Sequence, residues 1–297
     1  MNGILISILS GVGFGLFQTL NRRAGQRANV YQATFVLLLV SSAVLILVSA
    51  VFEDLSLLVG VSPWAILHFS LAAFIHFFVG WTLFSLSQKK VGAARTSVLL
   101  GTVPLWATLI GVLFFDEFLS GAAIAGILII MVGTYVISTD KIKDDNSAIE
   151  SGIKASLYGL GTAVCFAGSS IFIRYGLELL PSPLLGVTIG MTVVTAIYAV
   201  FYWSQSGTAT SGDSRLTGSK LGLQIFAGIL VAIATWWRWI ALDLTPIAIV
   251  ISLSRLSIPT VLLLSPFLIG QKLEQVNARV WLGAAVLISG ALILTFG

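Results

Sequence analysis

The stretch "VISLSRLSIPTVLLL", Val250 to Leu264, sets one arginine and one proline inside a run apolar enough for hydrocarbon. A charge at the bilayer centre costs at least about 2.5–3.5 kcal/mol on insertion scales, so Arg255 must be paired, face water or meet a ligand. Pro259 has no N–H, so the carbonyl four residues earlier, that of Arg255, is expected to lose its helical hydrogen bond. Irregular backbone at membrane depth is tolerated only where protein buries it or a water-filled cavity meets it. Charge and kink coincide, and together they predict a polar cavity inside a membrane protein.

Composition agrees with that reading. Of the 297 residues 57% are hydrophobic and 9% charged, with a mean hydropathy of +1.02. A soluble domain carries about a quarter charged residues, so lipid must cover most of this surface. The single cysteine, Cys165, excludes an intramolecular disulfide and a cysteine-built metal site. The net charge of +4 is too small and too scattered for a nucleic-acid footprint. The N-terminus has no basic region ahead of its apolar run, so it reads as the first span and not as a cleavable signal.

A membrane helix needs roughly 20 apolar residues. Ten segments qualify: 3–21, 31–51, 64–87, 92–115, 120–138, 153–175, 184–203, 220–242, 247–268 and 278–296. The polar stretch "STDKIKDDNSAIESG" (138–152) divides them five and five, giving halves 1–138 and 153–297 about a linker at 139–152. The halves echo each other. "LLGTVPLWATL" in segment 4 matches "LSRLSIPTVLLL" in segment 9 through Pro104 and Pro259, the two expected kinks. Gly126 and Gly133 match Gly283 and Gly290, and "NRRAG" (21–25) matches "FIRYG" (172–176). Five spans is an odd number, so a true repeat is inserted in opposite directions, the plan of many secondary transporters. The expected fold is an all-α integral membrane protein of ten helices in two inverted five-helix repeats.

Residues 89–137, "KKVGAARTSVLLGTVPLWATLIGVLFFDEFLSGAAIAGILIIMVGTYVI", resemble the ten-helix EamA-type members of the drug/metabolite transporter superfamily. The resemblance lies in small residues opening helix 4, its mid-helix proline, an acidic turn and a glycine-bearing helix 5. A weaker echo runs through 245–274, where Gln271 and Lys272 replace the acidic turn. The resemblance implies the fold and a transport role and says little about substrate.

Lysines and arginines orient a membrane chain, because cytoplasmic loops are enriched in them. Loops after odd-numbered segments hold twelve of the sixteen; loops after even-numbered segments hold none. The count predicts cytoplasmic odd loops and both termini outside, in the inner membrane of a prokaryotic cell. The resemblance implies the opposite orientation.

Four arginines remain: Arg95, Arg174, Arg238 and Arg255. Arg174 precedes Glu178 by four residues on one helix face near a membrane edge and is expected to snorkel or to pair there. Arg95, near the start of segment 4, can snorkel or meet a ligand. Arg238 sits in "WWRWIALD" (236–243), where Trp237 and its neighbours form either an aromatic belt or a cation–π surface. Arg255 is the deepest, with no acidic residue at its depth. His76, in "LAAFIHFFVGWTLF" (71–84), can couple protons to transport, and Trp81 follows it by five residues. Gln18, Asn21, Ser169 and Ser170 are further candidates for the same cavity.

These residues predict a secondary transporter for a small polar metabolite, anionic or zwitterionic, such as an amino acid or organic acid. A proton-coupled exporter of lipophilic cations needs a membrane-buried carboxylate, and every Asp and Glu falls at a helix end or in a loop. A channel or lipid scramblase is a further alternative. An enzyme is not expected: HExxH, GxSxG and GxxxxGK[ST] are all missing from the sequence, and no metal or cofactor is implied. The expected partners are a small-molecule substrate and membrane lipid. One chain holds both halves, so a monomer suffices and a dimer is compatible.

Overall fold

The computed structural model describes residues 2–24, 30–91, 93–140, 153–205, 216, 218–268 and 278–297. Among them ten helices are long and apolar enough to cross a membrane. They are α1 (Asn2–Asn21), α2 (Tyr31–Phe52), α3 (Pro63–Gln88), α4 (Arg95–Phe115) and α5 (Gly121–Thr139), then α6 (Ser156–Leu179), α7 (Pro183–Ser204), α8 (Gly218–Leu244), α9 (Ile247–Ser265) and α10 (Ala278–Phe296). All ten expected segments are present, the largest shift being the end of α6, from 175 to Leu179. Most of the linker expected at 139–152 lies outside the described residues, as do Gln271 and Lys272 and the loop residues Arg27, Lys141, Lys143 and Arg215.

Hydrocarbon dictates the all-helical solution, since only a helix satisfies its own backbone without water. Leu47, Val51, Leu113, Val200 and Phe267 are exposed around the bundle, as a lipid-facing surface requires. The interior is tied by small residues and hydroxyls. Between α2 and α7, Ser49 Oγ lies 2.7 Å from Thr188 Oγ1, and Thr195 Oγ1 donates to the Leu38 carbonyl at 3.2 Å. Such hydroxyl pairs hold membrane helices where apolar packing cannot distinguish neighbour from lipid.

Three helices are irregular. In α3 the stretch Phe74–Gly80 winds as a π-helix between the α-helical pieces Pro63–Ala73 and Trp81–Val91. In α4 the helix stops at Leu100 and restarts at Val103. In α9 a 3-10 turn, Ser254–Leu256, separates Ile247–Leu253 from Ser257–Leu268. Pro104 and Pro259 both fall in the first turn of the restarted helix, where a missing N–H costs nothing. The Arg255 carbonyl is not left free: the Ser257 N–H meets it in the 3-10 turn.

The packing pairs follow a rule. α1 lies on α8 and α9, and α6 lies on α3 and α4. α2 touches α8 as α7 touches α3, while α2 packs on α7 and α5 on α10. Replacing every helix by the one five places away returns these same pairs, although α8 also touches α6 and α7 without such counterparts. The α5–α10 crossing shows why glycines sit there. A methyl on Gly126 would stand 3.0 Å from the Gly290 carbonyl, and one on Gly290 2.8 Å from that of Gly126. Gly133 and Gly283 face each other in the same way, at 2.8 and 3.0 Å. Backbone touches backbone at two levels, seven residues apart on each helix.

Candidate functional site

Three residues expected in the cavity meet at one point. His76 lies in the π-helical stretch of α3, Ser169 on α6 and Arg238 on α8. π-turns re-aim side chains and occur often at functional sites. Gly80 permits the approach of α6: a methyl there would come within 2.8 Å of the Phe166 ring. Phe166 stacks on the His76 imidazole at 4.6 Å between ring centroids, and Phe77 meets its edge at 4.7 Å.

The polar contacts are specific. Arg238, only 8% exposed, sets Nη1 3.5 Å from His76 Nε2 and donates from Nη2 to the Phe166 carbonyl at 3.2 Å. His76 Nδ1 lies 3.2 Å from Ser169 Oγ. Arg238 Nε and Thr235 Oγ1, one turn earlier on α8, are buried with no hydrogen-bond partner. Thr235, Arg238, His76 and Ser169 line a cavity of about 10 Å³, on the order of one water molecule. As the helices stand, nothing larger than a water fits beside Arg238.

Arg255 sits on the 3-10 turn of α9, half-buried, close enough for its charge to act on Arg238. Neither arginine is paired with a carboxylate among the described residues. Trp81 stands edge-on to Phe77 at 5.3 Å and packs between the main core and the α1–α2–α8 cluster. Trp237 is half-buried beside Arg238 in sequence. Two expected residues are elsewhere. Gln18 is exposed on α1, and Arg95 is half-buried near the start of α4; neither has a hydrogen-bond or ion-pair partner among the described residues. Asn21 serves packing, accepting from Gln224 Nε2 at 2.9 Å across α1 and α8. Ser170 is buried with its hydroxyl unpartnered.

Arg174 is paired, but not with Glu178, which is exposed; the Arg174 Nη2 donates to Glu117 Oε1 at 3.0 Å and to the Thr245 carbonyl at 2.7 Å. Glu117 also accepts the Ile247 N–H on both oxygens at 2.9 Å, capping the first turn of α9. Asp116, in the left-handed region at φ 48°, turns the chain back so that the Glu117 N–H reaches the Gly111 carbonyl at 3.0 Å. The Glu117 carboxylate then folds over Gly111, in the space a methyl there would occupy. One carboxylate thus fastens α4, α6 and α9 at the end of the bundle where the even-numbered loops lie. At the opposite end Arg23 and Lys220 line an open recess of about 620 Å³ between α1 and α8.

Residues 1–139 match the EamA-like transporter family. The first half of the chain is EamA-like. A comparison with curated proteins finds no match. A solved structure described as "Crystal structure of protein" is 18% identical to this chain, with a TM-score of 0.77 over 99% of this chain and 96% of that one. At that identity the likeness speaks for the fold alone. With ten helices long and apolar enough to cross a membrane among the described residues, the EamA-like match speaks for an integral membrane protein, a membrane transporter of the drug/metabolite superfamily. Its Glu117 was legible only as an acidic turn, because a carboxylate outside every span gives no sign of which distant helix it caps.

Proposed function

We propose that this chain is a secondary transporter of a small carboxylate-bearing metabolite, an organic acid or an amino acid. One observation carries the reading: Arg238 and Arg255 both act at the centre of the bundle without a carboxylate partner. A desolvated guanidinium is stabilised by a charge-assisted, bidentate pair with a carboxylate, and here the substrate supplies it. The buried carboxylate that a cation exporter exchanges between proton and drug is missing among the described residues at that depth, which counts against that alternative.

Alternating access comes from two five-helix halves, 1–138 and 153–297, inserted in opposite directions and moving about the midplane site. The exchange rule among the helix pairs and the reciprocal glycine contacts of α5 and α10 support this. The broken helices α4 and α9 are the elements that flex. The Lys and Arg distribution supports cytoplasmic odd loops and outward termini in a prokaryotic inner membrane. Thermal-shift screening of purified wild type and Arg255→Ala against organic acids, amino acids, sugars and quaternary amines tests the reading. A ligand at 100 times its dissociation constant adds about 2.7 kcal/mol. Stabilisation of wild type alone by carboxylates supports it; equal stabilisation of both proteins by amines sinks it.

A further inference from the structure

The contacts around His76 close into a circuit whose directions are forced. Arginine only donates, so Arg238 Nη1, 3.5 Å from His76 Nε2, points its N–H at a bare lone pair. Ser169 Oγ donates to the Phe166 carbonyl at 3.1 Å. It therefore accepts from His76 Nδ1, 3.2 Å away, and the proton of the imidazole resides on Nδ1. Arg238 Nη2 completes the ring on the same Phe166 carbonyl at 3.2 Å. His76 is thus held neutral in one tautomer, with its basic nitrogen covered by the guanidinium that the proposed substrate would seek.

We propose that this circuit makes the transporter a proton–anion symporter. The inference rests on the carboxylate reading above and adds the coupling ion and its direction. A carboxylate that pairs with Arg238 draws Nη1 away from His76 and cancels the positive charge that opposes a second one. Nε2 then takes a proton from hydronium on the side open to the substrate, one O–H bond breaking as one N–H bond forms and neutral water being left, while Nδ1–H still donates to Ser169. When the carboxylate leaves on the other side, Arg238 returns to Nε2 and the proton is released to that side. One proton moves with one carboxylate, and neither binds well alone. An antiporter would need the two to compete for one charge; here each removes an obstacle to the other.

The surroundings leave Arg238 as the charged group that acts directly on His76. On its own helix, His68 lies two turns away and bonds the Trp64 carbonyl at 2.7 Å. From α6, Ser169 and Phe166 face it, while Arg174 is engaged by Glu117. From α7, Tyr198 packs on Phe78. From α9, Arg255 acts on Arg238. No carboxylate among the described residues pairs with any member of the circuit, so an incoming anion has no internal competitor.

The test measures binding of acetate, malate and L-serine to purified wild type and His76→Gln between about pH 6 and about pH 8, beside proteoliposomes loaded with a pH-sensitive dye. Linkage of one proton to one anion raises affinity by up to about tenfold per pH unit lowered. Wild type is expected to show that slope and to acidify the vesicle lumen when the bound carboxylate is added outside; His76→Gln is expected to lose the slope. A flat slope in wild type, with carboxylate still bound, overturns the symport inference and leaves the carboxylate reading standing. The wild-type slope persisting in His76→Gln also overturns it. Binding of none of the three by wild type at any pH overturns both. The wild-type slope and the lumen signal decide the matter even where the variant fails to fold.

Discussion

Glu117 Oε1 stands 3.0 Å from Arg174 Nη2, joining the turn after α4 to the end of α6, the first helix of the chain's second half. The same carboxylate caps α9 through the Ile247 N–H. Removing it strands a guanidinium and a helix N-terminus at once. Breaking a buried pair from one side costs about 3–5 kcal/mol, and Glu117 is only 7% exposed. Glu117→Ala is expected to lower stability by about 3 kcal/mol, read by thermal unfolding in detergent. Glu117→Gln keeps an acceptor for Ile247 and should lose less. Equal losses in the two variants would mean the cap does not matter.

The same residue carries a pH signature. Burial pushes the Glu117 carboxyl above its usual range, with the Ile247 N–H and the Arg174 charge pulling the other way. A folded-state value raised above the unfolded one means the native chain binds the proton more readily. The resulting stability is present at pH below the unfolded value and is lost as pH rises through the folded one. Wild type is therefore expected to gain on Glu117→Gln as pH falls from about 7 toward about 4, the carboxylate range. A gain in the opposite direction would show that Arg174, not burial, sets the charge of Glu117.

Close glycine contact gives a second structural test. A methyl at Gly133 would stand 2.6 Å from the Leu287 amide, and one at Gly283 3.0 Å from the Gly133 carbonyl. Gly133→Ala and Gly283→Ala are each expected to lose about 1–3 kcal/mol, the usual cost of overpacking. If the halves are related as proposed, Gly126→Ala and Gly290→Ala lose similar amounts. Gly121→Ala, with open space around it, should leave stability unchanged. Thermal midpoints of the five variants decide it.

The sequence made the spans legible because lipid sets both their length and their apolar content. The broken helices were legible through Pro104 and Pro259, whose missing N–H is a local fact. His76, Ser169 and Arg238 stood out as polar groups at depth, yet nothing local revealed that they meet. That depends on the crossing of α3, α6 and α8, and on Gly80 admitting Phe166. Arg174 pairs near the end of the bundle, but with a different carboxylate from Glu178, which looks like a partner on any single helix because it is four positions away. Its actual partner lies 57 residues earlier, and only the fold brings the two together. Gln18 looked like Asn21 in sequence; three residues along a helix separate an exposed face from a bonded one.

Orientation is open to a direct measurement. Twelve lysines and arginines sit in odd loops and none in even ones. A cysteine placed at Gly297 in a Cys165→Ser background is expected to react with a membrane-impermeant maleimide added outside intact cells. One placed at Ser204, at the other end of the bundle, should react only after the membrane is opened. The reverse pattern would put the termini, and with them the Glu117–Arg174 pair, at the cytoplasmic face.

Arg238 and Arg255 should separate structure from function. Arg238 is tied to His76 and the Phe166 carbonyl, so Arg238→Met leaves buried groups without partners. Each such loss costs about 1–3 kcal/mol, and the variant is expected to unfold at lower temperature. Arg255 has no hydrogen-bond or ion-pair partner among the described residues and feels the repulsion of Arg238. Arg255→Met removes a charge that nothing balances, so its thermal midpoint should equal or exceed that of wild type. Its response to carboxylates should vanish all the same. A substitution that raises stability while it abolishes ligand response is the mark of a residue kept for binding. If Arg255→Met destabilises the protein as much as Arg238→Met does, Arg255 has a structural partner and is not the substrate's anchor.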